Sequence, residues 1–200
     1  MAITNGYCTL AEVKAALRIT DNNDDVLLEN EIEGASRRVD GFCGRFFYKT
    51  TATAINIYTY NEYLLRFPND LANSTVTIKI DTLANGTYTT TLTQGVDYIL
   101  EPTNTVIQSR PFLQARMVGG ATFPMEVTPS FPTVQVSGFW GWDAVPDDVR
   151  TATVLLAIRG FARLNAALGV VGFADMAIQV RSVDPDVRDL LSPYVLYGIA

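Results

Sequence analysis

The chain of 200 residues contains no histidine and only two cysteines, Cys8 and Cys43. Histidine is the commonest general base near neutral pH, so its absence excludes Ser-His-Asp and Cys-His catalysis within one chain. Two thiols without histidine cannot form a standard structural zinc site. Both cysteines are therefore interpreted as small buried apolar side chains, and no disulfide is expected in a reducing compartment.

Phosphate-binding motifs are also absent, since no glycine-rich loop of the dinucleotide-binding or triphosphatase kind occurs. Paired carboxylates are the other candidates, for glycoside hydrolysis or for a divalent cation. Each pair lies where a helix is predicted to begin, and capping explains it there. The pairs are Asp24/Asp25, Asp147/Asp148 and Asp184/Asp186. No catalytic, cofactor-binding or metal-binding residue is therefore predicted, and the chain is not expected to be an enzyme.

Charge is scarce, at 18% of residues, and the net charge is −6. An acidic chain repels phosphate, and its basic residues form no cluster beyond Arg37, Arg38 and Arg45, so specific binding of nucleic acid is disfavoured. No signal peptide is recognised, and no apolar run approaches the roughly 18 residues that span a bilayer. The protein is expected to be soluble, made in a cytoplasm and without a membrane partner.

The N-terminal part carries helix signals. Thr9-Leu10-Ala11-Glu12 is a capping box that opens a short helix. An acidic turn at residues 21–25 is predicted to supply the N-cap of a second helix, which Gly44 ends in a left-handed conformation. The apolar stripe of this second helix is predicted to comprise Leu28, Ile32, Ala35, Val39 and Phe42.

The middle of the chain is rich in Thr, Tyr, Val and Ile, which is typical of strands. Asn85-Gly86 predicts a hairpin between two of them. The predicted strands are Thr53–Tyr60, Val76–Asp81, Tyr88–Leu92, Tyr98–Leu100 and Thr133–Phe139.

Helix signals return at Pro146, with Asp147 and Asp148 in the first turn. Apolar side chains then cover more than one face of this helix, which predicts packing against the N-terminal helices, a neighbouring subunit, or both. Asp184-Pro185 predicts one further short helix. The fold class is therefore α+β: a small helical bundle, residues 1–50 and 141–200, with a β-rich insert, residues 51–140.

Three stretches of the helical part resemble the head–tail connector, or adaptor, family of long-tailed bacteriophages. The first joins Tyr7–Lys14 to the DGFCGRFFY run at residues 40–48. The second is the FWGW turn at residues 139–142 with the VPDDV run after it, and the third is DPDVRDLLSPY at residues 184–194. The β-rich insert matches no pattern of the family.

The resemblance implies a structural virion protein that assembles as a homo-oligomeric ring, usually dodecameric, beneath the portal protein. It implies a lower face that receives the stopper or tail-completion protein, and a lumen through which DNA passes without specific binding during ejection. An acidic conduit suits that passage because it does not hold phosphates. The location would be the head–tail interface of the virion, after assembly in the host bacterial cytoplasm, and no cofactor is implied.

The end of the chain is predicted to contact the portal, because it is apolar and carries no charge from Leu190 onward. The alternative is that this tail folds back on its own bundle. The predicted portal contacts are Val187, Leu190, Leu191, Tyr194, Val195, Leu196, Tyr197 and Ile199.

Two other sets of residues are assembly candidates. An apolar, glycine-rich loop is predicted to order at a subunit interface, and it comprises Gly169, Val170, Val171, Gly172 and Phe173. Aromatic residues at the junctions of the insert are predicted to anchor it to the core, or else to lie at an interface. They are Phe46, Phe47, Tyr48, Trp140 and Trp142.

A different class of function rests on the insert alone. A β module rich in Thr and Tyr is also compatible with binding a carbohydrate or a receptor from the surface of a virion. An exposed aromatic platform in the insert would favour that alternative.

Overall fold

The computed structural model of the chain describes residues 3–72, 75–125, 131–165, 172–173, 176–177 and 185–196. The helices are α1 (Leu10–Leu17), α2 (Asp25–Cys43), α3 (Thr105–Gln108), α4 (Asp147–Asn165) and α5 (Pro185–Leu191), with a 3-10 turn over Ser192–Tyr194. The strands are β1 (Thr53–Ile57), β2 (Leu64–Leu71), β3 (Thr77–Ile80), β4 (Thr90–Leu92), β5 (Tyr98–Glu101), β6 (Phe112–Met117), β7 (Val134–Gly138), β8 (Gly172–Phe173) and β9 (Met176–Ala177). The α+β class is confirmed.

The chain forms two compact units. Met1–Tyr48 with Val145–Ala200 make the helical unit, and Lys49–Ala144 make the β unit. The sequence places the changes of unit after residues 50 and 140, whereas the chain changes unit after Tyr48 and Ala144. Trp142 consequently belongs to the β unit and not to the helical part.

Local signals set the ends of the first two helices. The Thr9 hydroxyl accepts from the Glu12 N–H at 3.2 Å, and the Thr9 N–H donates to the Glu12 carboxylate at 2.7 Å, so the predicted capping box is confirmed. Gly44 ends α2 at φ 66°, also as predicted. The predicted side-chain cap of α2 is wrong, because Asp24 makes no capping hydrogen bond. Asp25 instead forms an ion pair of 2.6 Å with Lys14.

The core of the helical unit lies between α1, α2 and α4. Its buried residues are Cys8, Val13, Leu28, Ile32, Ala35, Ala157 and Phe161. The predicted stripe of α2 is wrong at its last position, where Phe42 is 37% exposed and Cys43 is fully buried. A step of four residues from Val39 reaches Cys43 and keeps closer to the helix face than a step of three does.

The inner face of α4 carries small side chains. Ala152, Thr153 and Ala157 are buried there, and a methyl group added at Gly160 would overlap the Glu31 carboxylate of α2. Such small residues let two helices approach closely. Four large apolar residues in the middle of α4 are only half-buried within one chain, namely Val154, Leu155, Leu156 and Ile158.

The β unit contains two antiparallel sheets. One has four strands in the order β1-β7-β3-β4, and the other has three in the order β2-β6-β5. Alternate residues are buried along the inner strands, as Ile78 and Ile80 show in β3 and Val134 and Val136 show in β7. A backbone bridge between Leu71 and Trp140, and a hydrogen bond from the Tyr98 hydroxyl to the Val76 carbonyl at 3.4 Å, link the two sheets.

The five predicted strands are present, four with shorter bounds and the one that begins at Tyr98 with one residue more, and β3 pairs with β4 across the predicted hairpin. The sequence reasoning missed β2 and β6. Pro68 and Asp70 lie inside β2, where the register with β6 shifts between Arg66 and Leu71. Such residues are depleted in strands, so their pattern indicates a loop.

Candidate assembly surfaces

The C-terminal segment lies on the helical unit. α5 packs against α4, and its Val187 and Leu191 side chains are 3% and 2% exposed. Leu190 of the same helix is only half-buried. Tyr194 and Val195 are also half-buried, and Leu196 is 43% exposed. Tyr197 and Ile199 lie outside the described residues.

Residues after α5 are held by the end of α2. The Leu196 N–H donates to the Cys43 carbonyl at 2.8 Å, and carbonyls of a last helical turn have no partner inside the helix. The Tyr194 hydroxyl donates to the Asp148 carboxylate at 3.2 Å, and its ring meets Phe47 edge to face at 5.8 Å. As far as Leu196, the tail therefore contacts its own unit.

A buried hydroxyl connects three segments beneath this tail. The Tyr7 hydroxyl donates to the Asp40 carboxylate of α2 and accepts from the Phe47 N–H at 2.8 Å. The Tyr7 N–H donates to the Ser36 hydroxyl at 3.1 Å, and the Tyr7 and Phe47 rings meet edge to face at 5.6 Å. The N-terminal segment, α2 and residues 46–48 are thus fixed to one another.

Burial and this hydrogen bond to Asp40 both raise the pKa of Tyr7. Burial also raises the pKa of Asp40, against the opposing effects of the Tyr7 hydroxyl and the Arg37 guanidinium. Arg37 lies over the Tyr7 and Tyr48 rings at 5.6 and 5.3 Å and donates to the Asn5 carbonyl at 2.8 Å. Its positive charge is thus used within the unit and forms no basic patch.

The aromatic residues predicted at the two junctions divide between the units. Phe46, Phe47 and Tyr48 belong to the helical unit, where Phe46 and Tyr48 stack at 4.7 Å. Trp140 and Trp142 belong to the β unit and are 2% and 4% exposed.

Both indoles of the β unit are hydrogen-bonded. The Trp142 indole N–H donates to the Asp70 carboxylate at 2.7 Å, and the Trp140 indole N–H donates to the Thr53 carbonyl at 3.0 Å. These contacts fix the last segment of the β unit to its first two strands, β1 and β2. The predicted anchoring of the insert to the core stays a prediction.

The predicted assembly loop is described only in part. Gly172–Phe173 pairs with Met176–Ala177 as a two-stranded antiparallel ribbon, and residues 169–171 lie outside the described range.

Both thiols are buried and free. Burial raises the pKa of Cys8 to about 12 and that of Cys43 to about 11, so they remain protonated at neutral pH. Within the described residues, no three metal-ligating side chains come together, and no helix has the length and apolar character to cross a bilayer.

Sequence reasoning missed a groove in the β unit. It has a volume of about 680 Å³ and lies between β1 and β2, with lining residues that include Ile55, Ile57, Tyr58, Tyr60 and Phe67. Tyr58 is 44% exposed and Tyr60 is 86% exposed. Since the groove needs β2 as its second wall, it could not be found while β2 was interpreted as a loop.

Residues 7–101 match the model of the family described as phage gp6-like head–tail connector protein. The predicted resemblance to phage head–tail connectors is confirmed. The match spans α1, α2 and the strands through β5, so the expectation that the insert matches no pattern of the family is wrong for that part. No curated protein sequence is significantly similar to this connector-like chain.

Solved structures share the fold over the whole chain. A chain in the neck of a native gene transfer agent particle, computed with C12 symmetry, has a TM-score of 0.58 at 20% identity, covering 100% of this chain and 94% of that one. A chain in the neck of the empty particle, computed with C6 symmetry, gives 0.57 at 16% identity, with 100% and 95% covered. A chain in the virion of the native particle gives 0.59 at 21%, with the same coverage. The connector-like chain therefore has the fold of these proteins, and its β unit is part of that fold.

Proposed function

We propose that the protein is a structural head–tail connector of a phage-like particle. One combined observation supports the proposal. The whole chain shares its fold with a neck protein, and residues 7–101 of the same chain match the connector family. Such a part works by contact between proteins, so it needs no catalytic centre. The location that follows is the neck of the virion, after assembly in the host cytoplasm.

In this role, copies of the chain form a ring beneath the portal protein and present their lower face to the stopper or tail-completion protein. The C12 symmetry of a similar neck supports a cyclic arrangement. The net charge of −6 supports a conduit that DNA crosses without being held.

The C-terminal segment is proposed as the portal contact. The residues that its own unit leaves accessible would make the direct contacts. Leu190, Tyr194, Val195 and Leu196 each keep accessible apolar surface. Val187 and Leu191 act indirectly, because their burial fixes α5 on α4.

The first test is the mass of the protein by light scattering, alone and mixed with the portal of the same particle. The mixture is expected to have the mass of the portal plus that of one ring of this protein. Absence of any ring and of any portal association, across salt concentrations, would overturn the connector role.

The portal contact is tested separately with Leu196→Asp and with a chain that ends at Ser192. Both are expected to lose portal association while circular dichroism shows that the helices persist. Leu164→Asp is the matched control, since Leu164 is a 54% exposed leucine at the end of α4. Full portal association of Leu196→Asp and of the truncated chain would rule out this segment.

Accessible tyrosines support a second candidate function. Tyr58, Tyr60 and Tyr63 are 44%, 86% and 53% exposed in the β unit, and aromatic rings of this kind stack on sugars. A glycan-binding screen of the wild type against Tyr60→Ala tests this function. Binding that Tyr60→Ala abolishes would establish it, and an empty screen would remove it.

A further inference from the structure

The outer edges of the four-stranded sheet are exposed and uncharged. β1 and β4 are its two edge strands. No charged residue and no proline occurs between Lys49 and Glu62, around β1, or between Asp81 and Asp97, around β4. Ala54 and Asn56 of β1 and Thr91 of β4 are exposed. An edge strand of this kind pairs readily with another strand.

The three-stranded sheet of the same unit is protected. Its edge strand β2 carries Arg66, Pro68 and Asp70. Its other edge, β5, ends at Glu101-Pro102, and the Glu101 carboxylate pairs with Arg116 at 2.7 Å. Charges and proline are the devices by which natural proteins prevent edge-to-edge association. Their absence from both edge strands of one sheet indicates that these edges are covered in the assembled protein.

A second copy of the chain is the partner that fits both edges. This step rests on the proposed ring. Copies with a net charge of −6 repel one another, and a contact through uncharged surface adds nothing to that repulsion. β1 and β4 lie at opposite edges of one sheet, and a ring needs two different, complementary surfaces on each subunit.

Strand direction agrees with this arrangement. Each neighbouring pair in the order β1-β7-β3-β4 is antiparallel, so β1 and β4 run in opposite directions. When the strands run along the rotation axis of the ring, the rotation from one copy to the next does not change their directions. It therefore lays β4 of one copy antiparallel to β1 of the next and continues the sheet without a change of pattern.

The register places two further features at the same end of the sheet. Val134 pairs with both Ile57 and Ile80, and Ile80 pairs with Thr90, so these four residues form one row across the sheet. The loop at residues 81–89 leaves this row beside β4. The groove lined by Tyr58 lies next to β1 at the same end of the sheet.

That loop holds a leucine out from the surface. Leu83 is 78% exposed, and the Asp81 carboxylate accepts from the N–H groups of Leu83, Gly86 and Thr87 at 3.0, 2.6 and 3.1 Å. Ala84 adopts a left-handed φ of 51°, which is unusual for a residue other than glycine. Because these hydrogen bonds already order the loop, it loses little conformational entropy when Leu83 binds a partner.

We propose that neighbouring copies join by edge pairing of β4 of one copy with β1 of the next, with Leu83 of the first copy in the groove of the second. The four-stranded sheets then form one continuous belt around the ring. Apolar burial of Leu83 adds to the backbone hydrogen bonds between the edges.

Three single substitutions test the contact. Ala54→Glu adds a charge to β1, and Thr91→Glu adds one to β4 opposite Lys79, where it is tolerated within the chain. Leu83→Asp changes no strand. Each variant is expected to lose ring mass by native mass spectrometry, with subunit association weakened at least about ten-fold. Ile107→Glu is the matched control, because Ile107 is 86% exposed on α3 and lies on neither edge.

Mixing the two edge variants makes the test specific. Ala54→Glu keeps an intact β4 and Thr91→Glu keeps an intact β1, so a mixture is expected to give a heterodimer and no ring. Circular dichroism checks the fold of each variant. If an edge variant fails to fold, the ring mass of the Leu83→Asp variant decides whether the proposed contact exists.

The outcomes separate this contact from the connector role. A wild-type chain that forms no ring, either alone or on the portal, and that does not associate with the portal would overturn the proposed function and the edge contact together. Rings of unchanged mass in the edge variants and in Leu83→Asp would overturn the edge contact alone. Such rings together with glycan binding lost in Tyr60→Ala would assign the groove to a carbohydrate.

Discussion

The helical unit and the β unit contain different reporter side chains. Both cysteines of the chain, Cys8 and Cys43, are buried in the helical unit, and both tryptophans, Trp140 and Trp142, are buried in the β unit. Thiol reactivity therefore reports opening of the helical unit, and tryptophan fluorescence reports opening of the β unit. The unlabelled protein therefore allows the opening of each unit to be followed separately.

The largest expected effect comes from one chemical change made in each unit. Ile32 of α2 and Ile78 of β3 are both fully buried. Truncation to alanine is expected to cost about 2–5 kcal/mol at either site, through lost apolar burial and the cavity left behind. Ile32→Ala should mainly increase thiol reactivity in urea, and Ile78→Ala should mainly shift the fluorescence transition. Equal shifts of both signals by both variants would show that the units unfold together.

Loss of the Tyr7 hydroxyl should have the next largest effect. Tyr7→Phe removes a donor to Asp40 and the acceptor used by the Phe47 N–H, both in buried surroundings. We expect a loss of about 1–3 kcal/mol in the free energy of unfolding, followed by thiol reactivity in urea. Tyr48→Phe is the control, because the Tyr48 hydroxyl makes no hydrogen bond in the described part of the chain. Equal stability of the two variants would contradict the role of the hydroxyl.

Alkaline pH should weaken the helical unit. Burial raises the pKa of Cys8 and Cys43, so the fold favours their protonated forms. Their contribution is complete below the ordinary thiol value of 9.0 and is lost as pH rises toward their folded values. Between about pH 8.5 and about pH 9.5 the expected loss is about 1 kcal/mol for both thiols. Urea melts followed by circular dichroism should show it, and a Cys8→Ala/Cys43→Ala variant should have a flatter pH profile. Equal slopes would refute the assignment.

The smallest expected effect is a gain. Gly41 lies inside α2, where an added methyl group would meet open space. Gly41→Ala should therefore stabilise the helical unit by about 0.5–1 kcal/mol, because alanine loses less backbone freedom in a helix. Gly44→Ala is the matched contrast, since Gly44 ends α2 at φ 66° and alanine is strained there. Thermal unfolding should shift in opposite directions for the two variants.

The parts that sequence reasoning predicted well depend on neighbouring residues. The Thr9 and Glu12 box and the Gly44 cap are completed within one helical turn, so their residues suffice to predict them. β2 and β6 depend on pairing between Leu64–Leu71 and Phe112–Met117, which are far apart in the chain. Neither strand has a pattern strong enough to indicate that pairing alone.

The same distinction applies to the candidate surfaces. The apolar tail is visible in the sequence, but its contacts with Phe47, Cys43 and Asp148 arise from three distant segments. The neutral stretches around β1 and β4 are visible too. They indicate a candidate subunit contact only when the strand order shows that β1 and β4 are both edge strands.

The first and last segments of the β unit are fastened side by side. Lys49 and Asp143 form an ion pair of 2.6 Å, and the Thr50 N–H donates to the Trp140 carbonyl at 2.9 Å. A module whose two ends meet can be inserted at a single point of another unit, because insertion then needs only one break in the host chain. The β unit therefore begins and ends at one place, as a module inserted into another unit does.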